Sequence, residues 1–237
     1  VRIAAGIACS NFYNFPQNKV KLIGITGTNG KTSTSTILKS ILDAKNEKTI
    51  QIGTSGIKPS IEINPGLTTP DIFDLYEILN YAVNENYKNV ILEVSSHALS
   101  QRRIENIFFD ITAFTNLTHD HLDYHETMDE YFSEKLKLFK LNKDNGSSVV
   151  MIDDEYGKRI AELNSNVKCI SLKTEDADYF CTSYSINSLG IAGTLAWDSK
   201  TLNFESKLIG SFNLENLILA ASIAIEPVSY THLRAHE

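Results

Sequence analysis

Residues 20–32 read VKLIGITGTNGKT, and Ser33, Thr34, Ser35 and Thr36 follow. The largely apolar run 20–26 ends at Gly27-Thr28-Asn29-Gly30-Lys31-Thr32, and the next segment, 31–44, reads as a helix. Strand, glycine loop, Lys-Thr and helix is the layout of a phosphate cradle. Glycines let backbone N–H groups turn inward, and the helix start adds positive potential. Lys31 can reach β- and γ-phosphates, and the Thr32 hydroxyl is placed to bind Mg²⁺. The position six before Lys31 is Ile25 rather than glycine, so the loop has a short G-x-x-G-K-T form. A Gly-Asn turn carrying a surface lysine is the plainer alternative. The unbroken Ser/Thr run 32–36 weighs against it, because those residues are mediocre helix formers and helix stability does not explain them.

Working outward, apolar runs at 89–94, 110–115, 147–152 and 167–172 resemble the first one. Such runs suit parallel strands covered on both faces. Helical patterns at 71–86, 128–140 and 156–163 separate them. Alternating β and α segments predict a doubly wound α/β fold with a mostly parallel, phosphate-loop sheet flanked by helices. Residues 179–187, 190–197 and 201–209 read as a small antiparallel sheet, and 214–225 as a final apolar helix.

The chain has 237 residues, 42% hydrophobic and 22% charged, which excludes a mostly disordered polymer. The longest apolar run, 217–225, is broken by Ser222, so no membrane-spanning helix is predicted. A net charge of −7 disfavours nucleic acid as a partner. Cys9, Cys169 and Cys181 form no CxxC pair and read as reduced thiols of a cytoplasmic protein. The opening lacks both an initiator Met and a signal-like apolar core, so preceding residues are expected.

Other strand ends also carry chemistry. Glu93 closes the run at 89–94, beside the crevice where such sheets bind ligands. The run at 110–115 leads into His119, Asp120, His121, Asp123 and His125. That cluster reads as a zinc site, a solvated loop, or part of one Mg–nucleotide site shared with Thr26, Glu93 and Thr115. On the helix after it, Met128, Phe132, Leu136 and Phe139 form an apolar stripe. Lys135 borders the stripe, as a snorkelling or a functional lysine, whereas Lys137 points to the opposite, solvated side.

Together these motifs resemble the Mur ligases, most of all the MurE type of UDP-N-acetylmuramoyl-tripeptide synthetase. The resemblance is carried by GITGTNGKTST (24–34), LTTPD (67–71), LEVSSHALSQRRI (92–104), FTNLTHDHLDYH (114–125), Tyr131, Lys135 and Phe139, and GSFNLENLILA (210–220). It implies a ligase that uses ATP and Mg²⁺ to phosphorylate a carboxylate of a UDP-muramoyl dipeptide. A diamino acid then attacks the acyl phosphate, in peptidoglycan precursor synthesis. By the same resemblance, Gly27, Thr28, Asn29, Gly30, Lys31, Thr32, Ser33, Asn116, Asn213 and Asn216 contact the nucleotide. Thr32, Glu93, His121 and a carbamylated Lys135 serve the metal ions. Lys31, Glu93, His121 and Lys135 form the catalytic set, and Thr68, Thr69, Ser95, Gln101 and Arg103 hold the muramoyl peptide. It also implies a cytoplasmic monomer with small-molecule partners.

The resemblance divides the chain into three. Residues 1–19 look like the end of an N-terminal domain and a linker, 20–225 like the central ATP-binding domain, and 226–237 like a tail foreign to the family. The choice between meso-diaminopimelate and L-lysine stays open. A folylpolyglutamate- or cyanophycin-type ligase, or a non-catalytic nucleotide-binding module, are the competing readings.

Overall fold

The computed structural model describes residues 1–59, 61, 66–120, 124–164 and 166–226. Among these, ten strands form one sheet, in the order β10-β9-β8-β7-β6-β5-β1-β4-β2-β3. The central strands are β1 (Lys21–Thr26), β4 (Asn89–Glu93) and β5 (Phe109–Phe114), with β1 paired parallel to both neighbours. Beyond β5 lie β6 (Asn142–Met151) and β7 (Val167–Ser171), also parallel. The three antiparallel strands expected near 179–209 are β8 (Tyr179–Asn187), β9 (Gly190–Trp197) and β10 (Lys200–Ser206). They extend the main sheet, since β8 pairs parallel with β7. At the other edge, β2 (Thr49–Gly53) and β3 (Gly56–Lys58) form an antiparallel hairpin, with β2 parallel to β4.

Successive side chains of a strand point to opposite faces. Leu22, Val90 and Leu92 therefore join one core with α3 (Ile72–Asn84) and α5 (Met128–Leu136). Ile23, Ile25 and Ile91 join the other with α2 (Lys31–Ala44) and α7 (Ser211–Ile225). α1 (Arg2–Phe12) packs on α3, α4 (Ser96–Ser100) contacts α5, and α6 (Glu155–Leu163) lies against β6 and β7. No described helix is long and apolar enough to cross a membrane.

Several boundaries differ from the sequence reading. The helix expected over 128–140 ends at Leu136 and tightens into a 3-10 turn, Lys137–Leu141. The strand expected over 147–152 starts earlier, at Asn142. Asp71 lies outside α3 and caps it by accepting from the Ile72 backbone N–H. α3, α4, α5 and α6 are capped by Asp71, Ser95, Thr127 and Asp154. α2 and α7 instead follow Gly30 and Gly210, and neither has a side-chain cap. First-turn N–H groups have no partner within their own helix, so an uncapped start is suited to an anion.

Candidate functional site

The parallel register brings the C-terminal ends of β1, β4 and β5 together. Ile25 stands opposite Glu93, and Thr26 opposite Phe114. The loop 27–30 leaves this edge and is held by the segment after β5. Thr28 N donates to the Asn116 carbonyl at 2.8 Å, and Asn29 N to Asn116 Oδ1 at 3.1 Å. Thr115 Oγ1 donates to the Asn29 carbonyl at 2.7 Å. Gly27 and Gly30 have φ of +147° and +84°. A Cβ on Gly27 would strike Thr115 Oγ1, and one on Gly30 would strike Asn216 Oδ1, so both glycines are needed for shape as well as φ.

The Ser/Thr run ties α2 to its surroundings. Thr32 Oγ1 donates to Glu93 Oε2 at 2.8 Å, and Thr34 Oγ1 to Asn216 Oδ1 at 3.2 Å. Thr36 exchanges hydrogen bonds with Gln51 on β2. Asn216, in the second turn of α7, thus ties that helix to the first turn of α2.

Glu93 is fully buried. One of its carboxylate oxygens accepts from Thr32 and Thr54, while Oε1 has no hydrogen-bond partner. A Cβ on Gly53 would collide with that carboxylate. A buried, half-satisfied carboxylate is costly unless a cation completes it, so the site fits Mg²⁺ on its donor chemistry. Among the described residues no group of three or more His, Cys, Asp or Glu could hold a metal. His121, the histidine expected to serve a metal, lies outside the described residues, as does the tail 227–237.

Both lysines fold inward. Lys31 is half-buried as the first residue of α2, and its Nζ donates to the Gly27 and Thr28 carbonyls, each at 2.8 Å. Lys135, expected at the border of a stripe, is 1% exposed. Its Nζ also donates to the Gly27 carbonyl at 2.8 Å and lies 4.5 Å from the centroid of the Tyr131 ring. Burial, and then the Lys31 charge, hold the Lys135 pKa well below the usual lysine range, with Asp120 opposing. Burial lowers Lys31 as well, opposed by Glu93 and Asp120. Lys137 is exposed and pairs with Glu134.

A second group lies on the other side of Glu93. Thr69 Oγ1 donates to the Glu93 carbonyl at 2.8 Å and accepts from Ser95 N at 3.0 Å. Arg103 Nη1 donates to the Thr69 carbonyl, and its Nε and Nη2 donate to Gln101 Oε1. Thr68 reaches Thr54, which in turn bonds Glu93. The structure thus joins the phosphate loop, Glu93, Lys135 and the Thr68–Arg103 group. Ser33 is exposed at the start of α2, and Asn213 bonds the Ile209 carbonyl within its own segment. Gly53 and Thr54 were missed, because the hairpin carrying them has no continuous apolar run; the Thr54-Ser55-Gly56 turn residues were the available cue.

Fold and site together define a class: a doubly wound α/β domain with a phosphate-loop motif where the strand order reverses. Residues 25–224 match the Mur ligase middle domain, and the chain belongs to that family. It is 41% identical, over 94% of its length and 46% of the relative's, to the UDP-N-acetylmuramoyl-L-alanyl-D-glutamate--2,6-diaminopimelate ligase of Caldanaerobacter subterraneus subsp. tengcongensis. The ligase of the same name from Synechococcus elongatus is 39% identical over 91% of this chain and 44% of that one. A solved structure of a ligase so named superposes with TM-score 0.77 at 31% identity, covering 86% of this chain and 43% of that one. A Mycobacterium tuberculosis folylpolyglutamate synthase shares the fold at TM-score 0.70 and 14% identity, covering 94% and 58%. The chain spans about half the length of the curated relatives it matches.

Proposed function

We propose that this chain is the nucleotide-binding part of a cytoplasmic, monomeric ligase that uses ATP and Mg²⁺ to join 2,6-diaminopimelate to UDP-N-acetylmuramoyl-L-alanyl-D-glutamate. One observation carries the reading. The loop 27–32, the half-satisfied Glu93 carboxylate and the buried Lys135 amine converge at neighbouring strand ends. The names of the relatives supply the substrate.

In this reading the N–H groups of the loop and of the uncapped start of α2 receive the phosphates, and Lys31 leaves its two carbonyls to pair with them. Asn116, Asn213 and Asn216 border the nucleotide. Mg²⁺ would neutralise phosphate charge and polarise the transferred group. Thr32 and Glu93 would hold it, with His121 and Lys135 serving a second ion. A cation cannot ligate a metal, and here the depressed pKa of Lys135 matters. Its neutral amine can attack CO₂, forming an N–C bond and releasing one proton, which leaves a carbamate anion. Thr68, Thr69, Ser95, Gln101 and Arg103 would grip the muramoyl peptide, the Arg103 guanidinium facing a carboxylate. Orientation of the two anions is what these residues contribute to rate.

The test is ADP release by the full-length protein given Mg-ATP, UDP-N-acetylmuramoyl-L-alanyl-D-glutamate, and meso-diaminopimelate or L-lysine. Release is expected only when dipeptide and meso-diaminopimelate are both present. Release that needs no dipeptide would overturn the reading, and preference for L-lysine would overturn its amino-acid part.

A further inference from the structure

Tyr131 on α5 is fully buried, between the phosphate loop and Lys135. Its hydroxyl lies 3.2 Å from Thr28 Oγ1, inside the phosphate loop. The Thr28 hydroxyl also accepts from Thr118 N at 3.1 Å. The Tyr131 ring carries Lys135 Nζ, which bonds the carbonyl of Gly27, the neighbour of Thr28. The same ring stacks on His125, with centroids 5.0 Å apart and planes at 23°. His125 is itself buried, and its Nε2 lies 2.9 Å from Ser96 Oγ. Ser96 follows Ser95, the residue bonded to Thr69. One aromatic ring therefore contacts the loop and the lysine directly, and the muramoyl-peptide side through one imidazole.

Phenylalanine would fill this space as well as tyrosine. A buried hydroxyl is costly unless it is bonded, and the contact with Thr28 Oγ1 gives it a partner inside the phosphate loop.

We infer that Tyr131 is a positioning residue that sets the register between the phosphate loop and Lys135, and that His125 and Ser96 extend this register to the peptide side. The inference rests on the ligase reading and deepens it. The two substrates are aligned by one brace that touches neither.

The experiment uses the full-length protein and two readouts: calorimetric binding of a non-hydrolysable Mg-ATP analogue, and steady-state ADP release. Tyr131→Phe keeps the ring stack and the lysine contact and removes only the hydroxyl. It should weaken analogue binding about five-fold, the size of one neutral hydrogen bond, and the loss should appear in KM for ATP rather than in kcat. Thr28→Val removes that bond together with the Thr28 hydroxyl's bonds to Thr118, and should weaken the analogue at least as much. The double variant should be no weaker than Thr28→Val alone, because that variant already lacks the bond to Tyr131. Ser96→Ala, on the peptide side, should also weaken the analogue, at least two-fold. Wild-type affinity in Tyr131→Phe, or full additivity in the double variant, would overturn the brace. Wild-type affinity in Ser96→Ala would overturn its extension. If Tyr131→Phe fails to fold, Thr28→Val still decides: unchanged affinity there overturns the proposal. Analogue binding needs no ligase turnover, so failure of the ligase reading shows separately, as wild-type protein that binds nucleotide without dipeptide-dependent ADP release.

Discussion

Two lysine side-chain nitrogens, those of Lys31 and Lys135, share the carbonyl of Gly27, and only one of them is buried beyond reach of solvent. That difference separates their expected effects. Lys31→Ala removes a half-buried group whose partners are loop carbonyls, so folding should change by about 1 kcal/mol or less. ATP-dependent turnover should fall by about a hundredfold or more, as for loss of one charge-stabilising donor. Thermal melting and ADP release measure the two, and retained turnover would remove the phosphate-cradle reading. Lys135→Ala in the full-length protein should cut turnover strongly, and added bicarbonate should not restore it, since no amine remains to take up CO₂. Lys135→Glu should recover more than the alanine variant because it returns a carboxylate. Lys137→Ala is the control: its exposed pair with Glu134 should cost within about 0.5 kcal/mol and little activity. The reverse pattern, with Lys137 crippling and Lys135 silent, would sink the metal role. Gly53→Ala places a methyl on the Glu93 carboxylate, which is buried and has little room to swing away. Overpacking of this kind costs about 1–3 kcal/mol, and the Mg²⁺ concentration for half-maximal activity should rise. Wild-type melting and Mg²⁺ response would show that Glu93 moves freely.

At the scale of elements, α6 does more than cover the sheet. Its cap, Asp154, accepts from Tyr156 N and Gly157 N through Oδ1, and from Leu117 N through Oδ2 at 3.3 Å. Leu117 lies between Asn116 and Thr118, which both bond Asn29 of the phosphate loop. Asp154→Ala should therefore cost about 1–2 kcal/mol for the cap and its extra bond, and should raise KM for ATP. A stability loss with unchanged KM would show that the loop after β5 holds its shape without α6. The cap was not singled out from the sequence, although Asp before a helical run is a recognisable signal. β1, β4, β5 and their polar ends were legible because parallel strands buried on both faces are nearly pure apolar runs. β2 was not, because Thr49-Ile50-Gln51-Ile52-Gly53 alternates polar and apolar residues while being buried throughout. Gln51 and Thr49 are satisfied by Thr36 and Asn89, partners distant in sequence. Gly53 and Thr54, which shape the Glu93 site, were hidden with it. Lys135 was legible in type but not in burial. Helical phase put it at a border, and only the Gly27 carbonyl and the Tyr131 ring draw it inside.

Across the whole molecule, the site opens at one rim of the sheet. Asn29 and Ser33 are exposed, and Gly30, Lys31, Thr32, Ser95 and Asn213 are half-buried. Phosphoryl transfer to a carboxylate has a competitor at such a rim, since water can take the phosphoryl group or hydrolyse the activated acid. Exclusion of water and alignment of reacting groups supply much of an enzyme's rate. These 237 residues contribute the floor of the site and its charges, whereas the relatives are about twice as long. The isolated chain is therefore expected to bind Mg-ATP weakly, because loop, lysines and Glu93 are all present. It should not catalyse dipeptide-dependent ADP release at a rate typical of enzymes. Calorimetry with Mg-ATP and a coupled ADP assay on the isolated chain and the full-length protein, side by side, measure both halves of this expectation. Ligase turnover by the isolated chain approaching the full-length rate would show that the rim closes on its own. Failure to bind Mg-ATP would place part of the nucleotide site outside this chain. Weak binding without turnover would divide the labour as the geometry suggests, with phosphate recognition in the sheet and closure supplied from beyond it.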